Sequence, residues 1–594
     1  MYNLVPNWIF KNFITIWQEI LMQYLHVSPK ILPLQIQNFG TTFSGFAYAY
    51  RSSPEIITND SWPQQIGPLK TNTVLQYDSN YQNVTKWGNP ALAQRQSRRN
   101  GDSSSSKTVE LFKLHLGNIP QNEKPPLPRQ LSYDKAISDY LRELVMIKLI
   151  YYVGKLIKET ISTRWQGIKF FEHVLLVISI PAEFDDRAKD TMRKCLYNAG
   201  LTNSKESNKV EFTTEPEAAA IYCMRNLEGQ NKPISINESF MVVDCGGGTV
   251  DLTTRKLLRD NKLSEITERT GGFCGGFYVD REFIKFLSRR LGQSTINLLK
   301  ENNYGQMQYM IQQFCQKSKF HFTGNINDFN SFEFDIEEIC PILKQYCKDD
   351  IKEKMEDNDW IIDINFEDIK SMFDPVVGKI IRLIRGQLNS SKNKCSVIFL
   401  VGGFSESKYL QMRIKEEFGK LVPSIIVPKQ PITAIVRGAC DYGLEMSTII
   451  DRTLKYSYGF ETYRSWKFGD PINRRKSIKG NNKTKIMIFH CLATRGTTVG
   501  IDEEFRTVSC PSMPDQTEIS YPIYITTESS AKFCDESGMK LHGTLTIDLP
   551  DVHLGLDRQV EFSLIFGKME LVAKAKNLRN GRIYNTSFDL NLNF

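Results

Sequence analysis

The sequence predicts an α/β protein whose last part is a smaller β-rich domain, and three observations lead to this fold class. Val174–Ile180 is a continuous apolar run rich in branched residues and precedes a helical pattern, as buried strands of an α/β sheet do. A strand, a glycine-rich turn and a second strand are indicated twice, at 34–50 and 241–251. After residue 455 no helical period of any length recurs, whereas apolar and polar residues alternate, as in 560–566.

The size and charge of the chain limit the possible classes of protein. Its 594 residues exceed what one hydrophobic core supports, and at about 100–200 residues per domain they predict about three or four units. The formal net charge of +8 is small for this length, and basic residues alternate with acidic ones along most of the chain. We therefore expect no nucleic acid as a partner, because nucleic-acid-binding proteins concentrate positive charge on one face.

The cysteines and the apolar segments predict a cytoplasmic protein without a membrane span. The twelve cysteines form no Cys-x-x-Cys or Cys/His pattern with zinc spacing, so we expect reduced thiols in hydrophobic cores. No apolar run reaches the ~18 residues that a membrane helix needs. Residues 1–33 carry apolar residues at helical spacing and predict an extension helix docked on the body of the protein, with contact at a membrane surface as the alternative.

The first hairpin, 34–50, is a candidate phosphate loop. Leu34 and Ile36 alternate with glutamines as in a strand, and glycines within 38–45 give the turn before the alternation resumes. Farther along, Lys86 could contact a phosphate, although an exposed lysine is the more common case.

Two helices are predicted in the first half of the chain. Residues 131–163 have a helical apolar pattern with Ser132 as the N-cap candidate. A second helix follows Thr214, which forms a capping-box pattern with Glu217, and the alanines that follow allow another helix to pack closely. A well-capped helix is the simplest interpretation. The alternative is that Glu215 directs its carboxylate from the helix start at a metal ion or an attacking water.

The second hairpin, 241–251, carries the strongest signal for a nucleotide. Three successive glycines, 246–248, let the backbone approach a ligand so closely that peptide N–H groups converge on phosphate oxygens. Asp244 and Asp251 flank the turn, where carboxylates hold Mg²⁺ through its water shell, and the Thr249 hydroxyl can bind a phosphate. A glycine-rich hairpin with solvated aspartates is the alternative for this motif alone. The duplication favours two hairpins that close on one polyphosphate.

Two further glycine turns stand before helices. A cluster at 271–276 precedes helical patterns over 280–320, and Gly402-Gly403 lies between the buried strand 397–401 and a new helix start. Such a pair allows close approach of a base or a ribose, although many α/β turns have it without a ligand.

The C-terminal part is predicted to be a separate β-rich domain, 457–594, joined by a linker at 446–456. Asn580-Gly581 indicates a two-residue hairpin turn. The basic loop 474–485 is predicted to be solvated.

Five of these motifs occur in the order in which the actin-like ATPase superfamily has its phosphate, connecting and adenosine elements. They are 38–45, 214–220, 244–251, 275–280 and 400–404. Their residues resemble the heat-shock 70 kDa chaperone family, in particular its divergent branch without a helical lid. The resemblance covers about residues 34–445.

The resemblance implies two lobes of ribonuclease-H-like fold around a deep cleft that holds ATP or ADP with Mg²⁺. Lobe I would comprise about 34–235 and a return segment at 431–445, and lobe II about 236–430. The implied phosphate-binding residues are Gly40, Thr41, Thr42, Gly246, Gly247, Gly248 and Thr249. The residues implied to face the adenosine are Gly275, Gly276, Lys319, Gly402 and Gly403. Asp244, Asp251 and Asn38 would serve the metal, and Glu215 would act with the two aspartates as a catalytic residue that orients the water.

Three departures from the family pattern shape the functional prediction. Asn38 replaces an aspartate and so removes a charge next to the cation. Gln316 stands where a glutamate usually precedes the adenosine lysine, and Pro33 makes the entry of the first strand into the sheet doubtful. Because phosphoryl transfer depends mostly on positioning and charge neutralisation, we expect ATP binding with weak hydrolysis. The missing lid puts tight trapping of peptides in doubt.

The resulting prediction is a chaperone-like ATPase of the stress-response type, whose β-rich module binds extended or unfolded polypeptide clients, with co-chaperones as possible partners. The first alternative is a nucleotide-switched scaffold without useful ATPase activity, whose β-rich module binds a fixed protein partner. The second alternative is a sugar or acetate kinase on the same fold.

Overall fold

The computed structural model describes residues 32–50, 53–94, 107–145, 170–226, 234–391, 394–477, 484–566 and 569–587. Most of the predicted N-terminal extension 1–33 and the second half of the predicted helix 131–163 lie outside these ranges.

The first predicted hairpin lies in a mixed sheet of six strands. These are β1 (Leu32–Phe39), β2 (Phe43–Tyr50), β3 (Ser53–Thr58), β6 (Thr71–Asn72), β10 (Val174–Ile180) and β11 (Val210–Thr214). Across the sheet the order is β11, β10, β1, β2, β3, and β6 also pairs with β2. The central strand β1 runs parallel to β10 and antiparallel to β2.

The second predicted hairpin lies in another six-stranded sheet. Its strands are β12 (Ser239–Cys245), β13 (Val250–Leu257), β14 (Leu263–Glu265), β15 (Thr270–Gly272), β18 (Cys395–Val401) and β19 (Ser424–Ile426). The order β14, β13, β12, β18, β19 repeats that of the first sheet, with β12 antiparallel to β13 and parallel to β18. The chain therefore builds the same sheet twice.

Pro33 enters the first sheet in spite of its missing N–H group. It lies opposite Leu175 in the parallel ladder of β1 and β10, whereas the pairing of β1 with β2 begins only at Leu34. A proline is tolerated near a strand end where one neighbour stops.

Thirteen α-helices lie within the described ranges. They are α1 (Tyr133–Val145), α2 (Phe170–His173), α3 (Asp186–Asn198), α4 (Glu215–Asn226), α5 (Phe277–Leu291), α6 (Gln293–Asn302), α7 (Tyr304–Phe314), α8 (Ile336–Ile339), α9 (Leu343–Tyr346), α10 (Asp349–Asp357), α11 (Phe366–Ser390), α12 (Lys408–Phe418) and α13 (Ala434–Leu444). The predicted N-cap of α1 is present, because Ser132 Oγ accepts a hydrogen bond from the Lys135 N–H at 3.4 Å.

Helices α4 and α13 lie between the two large sheets. One hydrophobic cluster joins Val177 of β10, Val242 of β12 and Phe399 of β18 to both helices. The two helices touch backbone to backbone, because a methyl group on Gly438 would lie 1.8 Å from the Ala218 carbonyl oxygen. The alanines predicted to allow close packing are therefore buried against a glycine of the partner helix.

Strands alone, with short 3₁₀ turns, form the last part of the described chain. One sheet contains β21 (Ser457–Ser465), β22 (Lys476–Ser477), β23 (Thr484–Ala493), β26 (Glu518–Thr526) and β27 (Lys540–Asp548). The other contains β25 (Glu504–Ser509), β28 (Val560–Ile565), β29 (Val572–Asn577) and β30 (Ile583–Ser587). Their inner faces share a core in which the rings of Tyr521 and Phe562 stack with centroids 4.4 Å apart.

The predicted hairpin at Asn580-Gly581 joins β29 to β30, but its loop is longer than two residues. Residues 578–581 separate the paired Asn577 and Arg582, and Gly581 has φ 73°. The Asn577 side chain accepts hydrogen bonds from the N–H groups of Arg579 and Asn580, which extends the turn.

Four small sheets complete the described strands. They are formed by β4 (Ser61–Trp62) with β5 (Gln65–Ile66), by β7 (Val74–Tyr77) with β8 (Val84–Trp87) and β9 (Lys107–Glu110), by β16 (Phe332–Asp335) with β17 (Ile361–Ile364), and by β20 (Asp451–Thr453) with β24 (Thr498–Gly500). All twelve cysteines are free thiols and eight are buried. In the described part of the chain, no helix has both the length and the apolar character required to cross a bilayer.

The stretch predicted as a linker, 446–456, is packed rather than extended through solvent. Ile449 is fully buried with the residues between the sheets, and β20 lies within this stretch. Asp451 accepts hydrogen bonds from the Ser264 hydroxyl and the Glu265 N–H, at 2.8 and 2.7 Å. The segment is therefore fixed to β14 of the second sheet.

Candidate functional site

The turns of the two predicted phosphate hairpins face each other and touch. A methyl group on Gly247 would lie 2.1 Å from Thr42 Oγ1, and one on Gly248 would lie 2.5 Å from Thr41 Oγ1. Any side chain in place of these glycines would push the hairpins apart. The residues around the two turns thus come together although they lie about two hundred residues apart in the chain.

The glycine turn 246–248 is held on one side by the third glycine cluster. Each of its three carbonyl oxygens accepts a hydrogen bond from a backbone N–H of 275–277, at 2.8–3.2 Å. Within the described residues, no acceptor is found for the N–H groups of Gly247 and Gly248. The carbonyls are therefore occupied, whereas two N–H groups remain for an anionic ligand, as in other phosphate-binding turns.

Asp244 and Asp251 sit directly opposite each other in the ladder of β12 and β13. Both are buried, with exposed fractions of 2% and 0%. Asp251 Oδ1 accepts a hydrogen bond from the Ala182 N–H at 2.8 Å, but Asp251 Oδ2 and Asp244 Oδ1 are buried without a hydrogen-bond partner. Buried acceptors in this condition are rare unless a ligand or ion completes them.

Burial raises the pKa values of these two carboxylates. The negative charge of Glu215 raises both pKa values further. The pKa of Asp251 rises to about 7, and that of Asp244 lies well above its ordinary value. A divalent cation would favour the ionised forms again.

The donor set fits Mg²⁺ better than a metal with a full protein cage. No group of three His, Cys, Asp or Glu side chains placed to ligate a metal occurs among the residues that the structure describes. Mg²⁺ retains several waters and needs only one or two carboxylates together with phosphate oxygens.

Two buried lysines, which no pattern in the sequence had singled out, complete the charge cluster. Lys113 Nζ lies 2.8 Å from Glu215 Oε1, with both side chains about 5% exposed. Lys70 is 8% exposed, and burial lowers its pKa to about 8 against the attraction of Asp244 and Glu215. The lysine singled out from the sequence, Lys86, lies exposed on β8.

One signal in the sequence marks Lys113. It is flanked by Phe112 and Leu114 in a short apolar segment that forms a 3₁₀ turn, and a lysine among apolar residues is seldom fully solvated. Lys70 has no such signal, because it follows a stretch without a periodic pattern.

The predicted capping box at the start of α4 is half formed. Thr214 Oγ1 accepts a hydrogen bond from the Glu217 N–H at 3.3 Å, as predicted. The carboxylate of Glu217 accepts a hydrogen bond from the Thr213 hydroxyl at 3.2 Å, not from the backbone N–H of Thr214, and binds the guanidinium groups of Arg255 and Arg452 at 3.0 and 3.1 Å. Since both guanidiniums are buried, they require this carboxylate as a counter-charge.

The glycine pair after β18 lies beside Asp244. Gly402 has φ 83°, and a methyl group there would lie 2.3 Å from Asp244 Oδ1. Gly403 is open by comparison, since its nearest atom would be 3.9 Å away, on Ile432. Gly402 therefore packs against Asp244, the candidate metal ligand, and Gly403 leaves open space beside Gly402.

The other residues assigned to adenosine gather around Lys319. Lys319 is the last residue of a π-helical turn, Cys315–Lys319, that follows α7. Its Nζ donates hydrogen bonds to the Gly276 carbonyl and to Asp280 Oδ1, both at 2.6 Å. A methyl group on Gly276 would lie 3.3 Å from the Phe404 ring and 3.6 Å from Lys319 Nζ. Gly275 instead packs directly on the backbone of Gly247.

Two other assigned residues lie on the first hairpin. The Gly40 carbonyl accepts a hydrogen bond from the Thr73 hydroxyl at 2.8 Å. Asn38 lies in β1 opposite Gly45, and its side chain is outside the described part of the chain. Its assignment as a metal ligand stays a prediction.

The duplicated sheets and the facing glycine hairpins with buried carboxylates are the arrangement expected of the two-lobed actin-like fold. The chain is 24% identical to heat shock 70 kDa protein 12A of Mus musculus, over 93% of this chain and 90% of that protein. It is 23% identical to heat shock 70 kDa protein 12B of Homo sapiens, over the same shares. It is also 23% identical to chaperone protein HscA of Buchnera aphidicola subsp. Baizongia pistaciae, over 67% of this chain and 68% of that protein.

These similarities confirm the predicted resemblance to the heat-shock 70 kDa family. They support the interpretation of the chain as a divergent member of that family. They also imply the two-lobed actin-like ATPase fold. No family model matches the chain.

Proposed function

We propose that the protein is a chaperone-like ATPase of the heat-shock 70 type, which binds ATP or ADP with Mg²⁺ between its two lobes. The observation that carries this proposal is the contact of the two glycine hairpins beside Asp244 and Asp251, whose buried oxygens include two without a partner. The proposed lobes are about 34–235 with 431–445, and about 236–430.

The glycine turn and the carboxylates beside it have separate proposed roles. The N–H groups of Gly247 and Gly248 bind phosphate oxygens, and Asp244 and Asp251 hold the water shell of Mg²⁺. Bound Mg²⁺ supplies positive charge to the phosphates. Lys113 fixes the carboxylate of Glu215, which orients the attacking water.

The nucleotide proposal is tested by calorimetric titration of the full chain with ATP·Mg²⁺ and ADP·Mg²⁺. We expect Lys70→Met to lower the affinity by about tenfold to a hundredfold, because a buried ammonium facing a phosphate forms a charge-assisted contact. The matched control is Lys86→Met, which removes an exposed lysine of the same lobe and should leave the affinity unchanged.

Two results would contradict these assignments. A wild-type protein that gives no binding heat and no thermal stabilisation with either nucleotide would refute nucleotide binding itself. Equal losses from Lys70→Met and Lys86→Met would refute the role of Lys70 only.

The identity of residue 38 predicts a slow chemical step. We expect Asn38→Asp to raise the single-turnover rate of ATP hydrolysis, because it restores a negative charge next to the cation. Single-turnover kinetics, with less ATP than protein, measures the rate of hydrolysis separately from the rate of product release. An unchanged rate in a variant that still binds ATP would reject the assigned role of Asn38.

Asn38 also favours a second candidate function, a nucleotide-switched scaffold without useful ATPase activity. Binding and turnover measured on the same preparation separate the two candidates. Tight binding with no turnover by the wild type favours the scaffold, whereas measurable turnover favours the chaperone-like ATPase.

The β-rich part, 457–594, is proposed to bind extended polypeptide clients or a fixed protein partner, coupled to the nucleotide through the segment 446–456. Its contacts with the first lobe support this coupling. Arg193 of α3 binds both carboxylate oxygens of Glu570 at 2.7 Å, and Asp186 lies 3.2 Å from His542. A change at the nucleotide site can reach the β-rich part through these pairs and through Arg452.

A further inference from the structure

The loop 466–477, between β21 and β23, presents two large apolar side chains to solvent. Phe468 is fully exposed, at 101% of its reference area, and Ile472 is 80% exposed. Single exposed apolar residues are common on soluble proteins. In this loop, however, two exposed apolar residues, Phe468 and Ile472, are only four positions apart.

Positive charge is concentrated around these two residues along the chain. Residues 464–477 contain five lysines and arginines and one aspartate, which is a net charge of +4 on a chain whose total is +8. Lys485 adds a further positive charge, because it pairs with Lys476 across the β22–β23 ladder. Half of the net charge of the chain therefore lies within fourteen residues.

Side-chain contacts fix the shape of the loop. Arg464 binds both carboxylate oxygens of Asp470 at 2.7 Å, and the Lys467 N–H donates to the same carboxylate at 2.7 Å. The guanidinium of Arg475 lies over the Trp466 ring, 4.9 Å from its centroid. A loop ordered before binding loses less conformational entropy when it binds.

The unpaired part of the positive charge lies close to Phe468 and Ile472 along the chain. Arg474 is partly neutralised by Asp535 at 2.7 Å, as Arg464 is by Asp470. Among the residues that the structure describes, no carboxylate forms an ion pair with Lys467, Arg475 or Lys476. These three cations surround Phe468 and Ile472 along the chain.

We propose that the loop 466–477 docks on an anionic lipid bilayer, with Phe468 and Ile472 inserted among the acyl chains and the basic residues bound to the headgroups. Apolar side chains that enter the interface next to cations that attract anionic lipids are the two requirements of peripheral membrane binding. A nucleic acid or an acidic peptide would use the cations, but its binding would not require the exposed apolar side chains of Phe468 and Ile472.

The test is co-sedimentation of the full chain with vesicles of phosphatidylcholine alone and of phosphatidylcholine mixed with phosphatidylserine. Phe468→Ser with Ile472→Ser should lower the partition coefficient by about tenfold or more, because the inserted apolar area is lost. Arg475→Gln with Lys476→Gln should lower it by about tenfold, and added salt should weaken binding of the wild type. Ile66→Ser is the matched control, since Ile66 is 86% exposed on β5 and far from the loop in sequence.

Each outcome decides the proposal. Binding that requires phosphatidylserine and is lost in both double variants, with Ile66→Ser unaffected, supports it. No binding of the wild type to either vesicle overturns it. Binding that persists in both double variants places the contact elsewhere, for example in residues 1–33, and overturns it. Loss in the charge variant alone shows a purely electrostatic contact, which nucleic acid or an acidic peptide could equally make, and also overturns it.

Discussion

Glu217→Ala is expected to lower the free energy of unfolding by about 3–5 kcal/mol, because it leaves two buried guanidiniums without their shared counter-charge. Arg255 is fully buried and Arg452 is 4% exposed, and both bind Glu217 within 3.3 Å. Glu265 also contacts Arg255, at 3.1 Å, but one carboxylate cannot neutralise both groups. Chemical denaturation of the full chain, followed by circular dichroism, measures the loss.

Glu445→Ala is the matched control for this prediction. Glu445 also pairs with two basic residues, Lys262 at 3.3 Å and Arg225 at 4.0 Å, but its side chain is 53% exposed. Solvent screens such a pair, so the variant should change the free energy of unfolding by less than about 1 kcal/mol. Equal losses of unfolding free energy in the two variants would show that burial does not make the Glu217 ion pairs more important for stability than exposed ones.

The pH dependence of the Glu217 effect has a definite sign. The neighbouring guanidiniums hold the pKa of Glu217 well below its ordinary value of 4.5, although burial alone would raise it. A carboxyl group with a lowered folded-state pKa contributes its full stability above the unfolded-state pKa and loses it as the pH falls below that value. The difference between wild type and Glu217→Ala should therefore be constant above about pH 5.5 and shrink below about pH 4.5.

Gly438→Ala is expected to destabilise the protein by about 3 kcal/mol or more and to weaken nucleotide binding. The new methyl group would lie 1.8 Å from the Ala218 carbonyl oxygen and 2.6 Å from its carbon, so α13 must move away from α4. Overpacking of a buried contact commonly costs about 1–3 kcal/mol, and a clash with backbone has no flexible side chain to absorb it. Since α4 begins with Glu215, its displacement also disturbs the charge cluster at the site.

Gly386→Ala provides the control for this helix contact. Gly386 is an interior residue of α11, and a methyl group there would meet no atom within 4 Å. Because alanine has the higher helix propensity, this variant should gain about 0.5–1 kcal/mol. Thermal unfolding and ATP titration of both variants test the pair. A Gly438→Ala protein as stable as Gly386→Ala, with unchanged ATP affinity, would mean that close contact of α4 and α13 is not required.

The course of the two glycine turns was predictable from the sequence because their signals are local. Strand alternation on either side of Gly40, and a short apolar strand before the glycines 246–248, predict a hairpin from a window of about ten residues, and the structure has both hairpins. The strands around Phe562 and the helix after Thr214 follow from the same kind of pattern. Their agreement with the structure needs no knowledge of distant residues.

The sequence by itself therefore determined the two glycine hairpins, the helix after Thr214 and the strand pattern of the last part, and through the order of the motifs the resemblance to the heat-shock 70 kDa family. Only the tertiary structure decided that Lys113 meets Glu215 and that Arg452 meets Glu217, pairs separated by 102 and 235 residues. The physical reason is that periodicity reports which face of an element is apolar, whereas the counter-charge of a buried group depends on which elements pack against it. Glu217 fits a local capping pattern, but its carboxylate binds the guanidiniums of Arg255 and Arg452, which come from strands distant in the sequence.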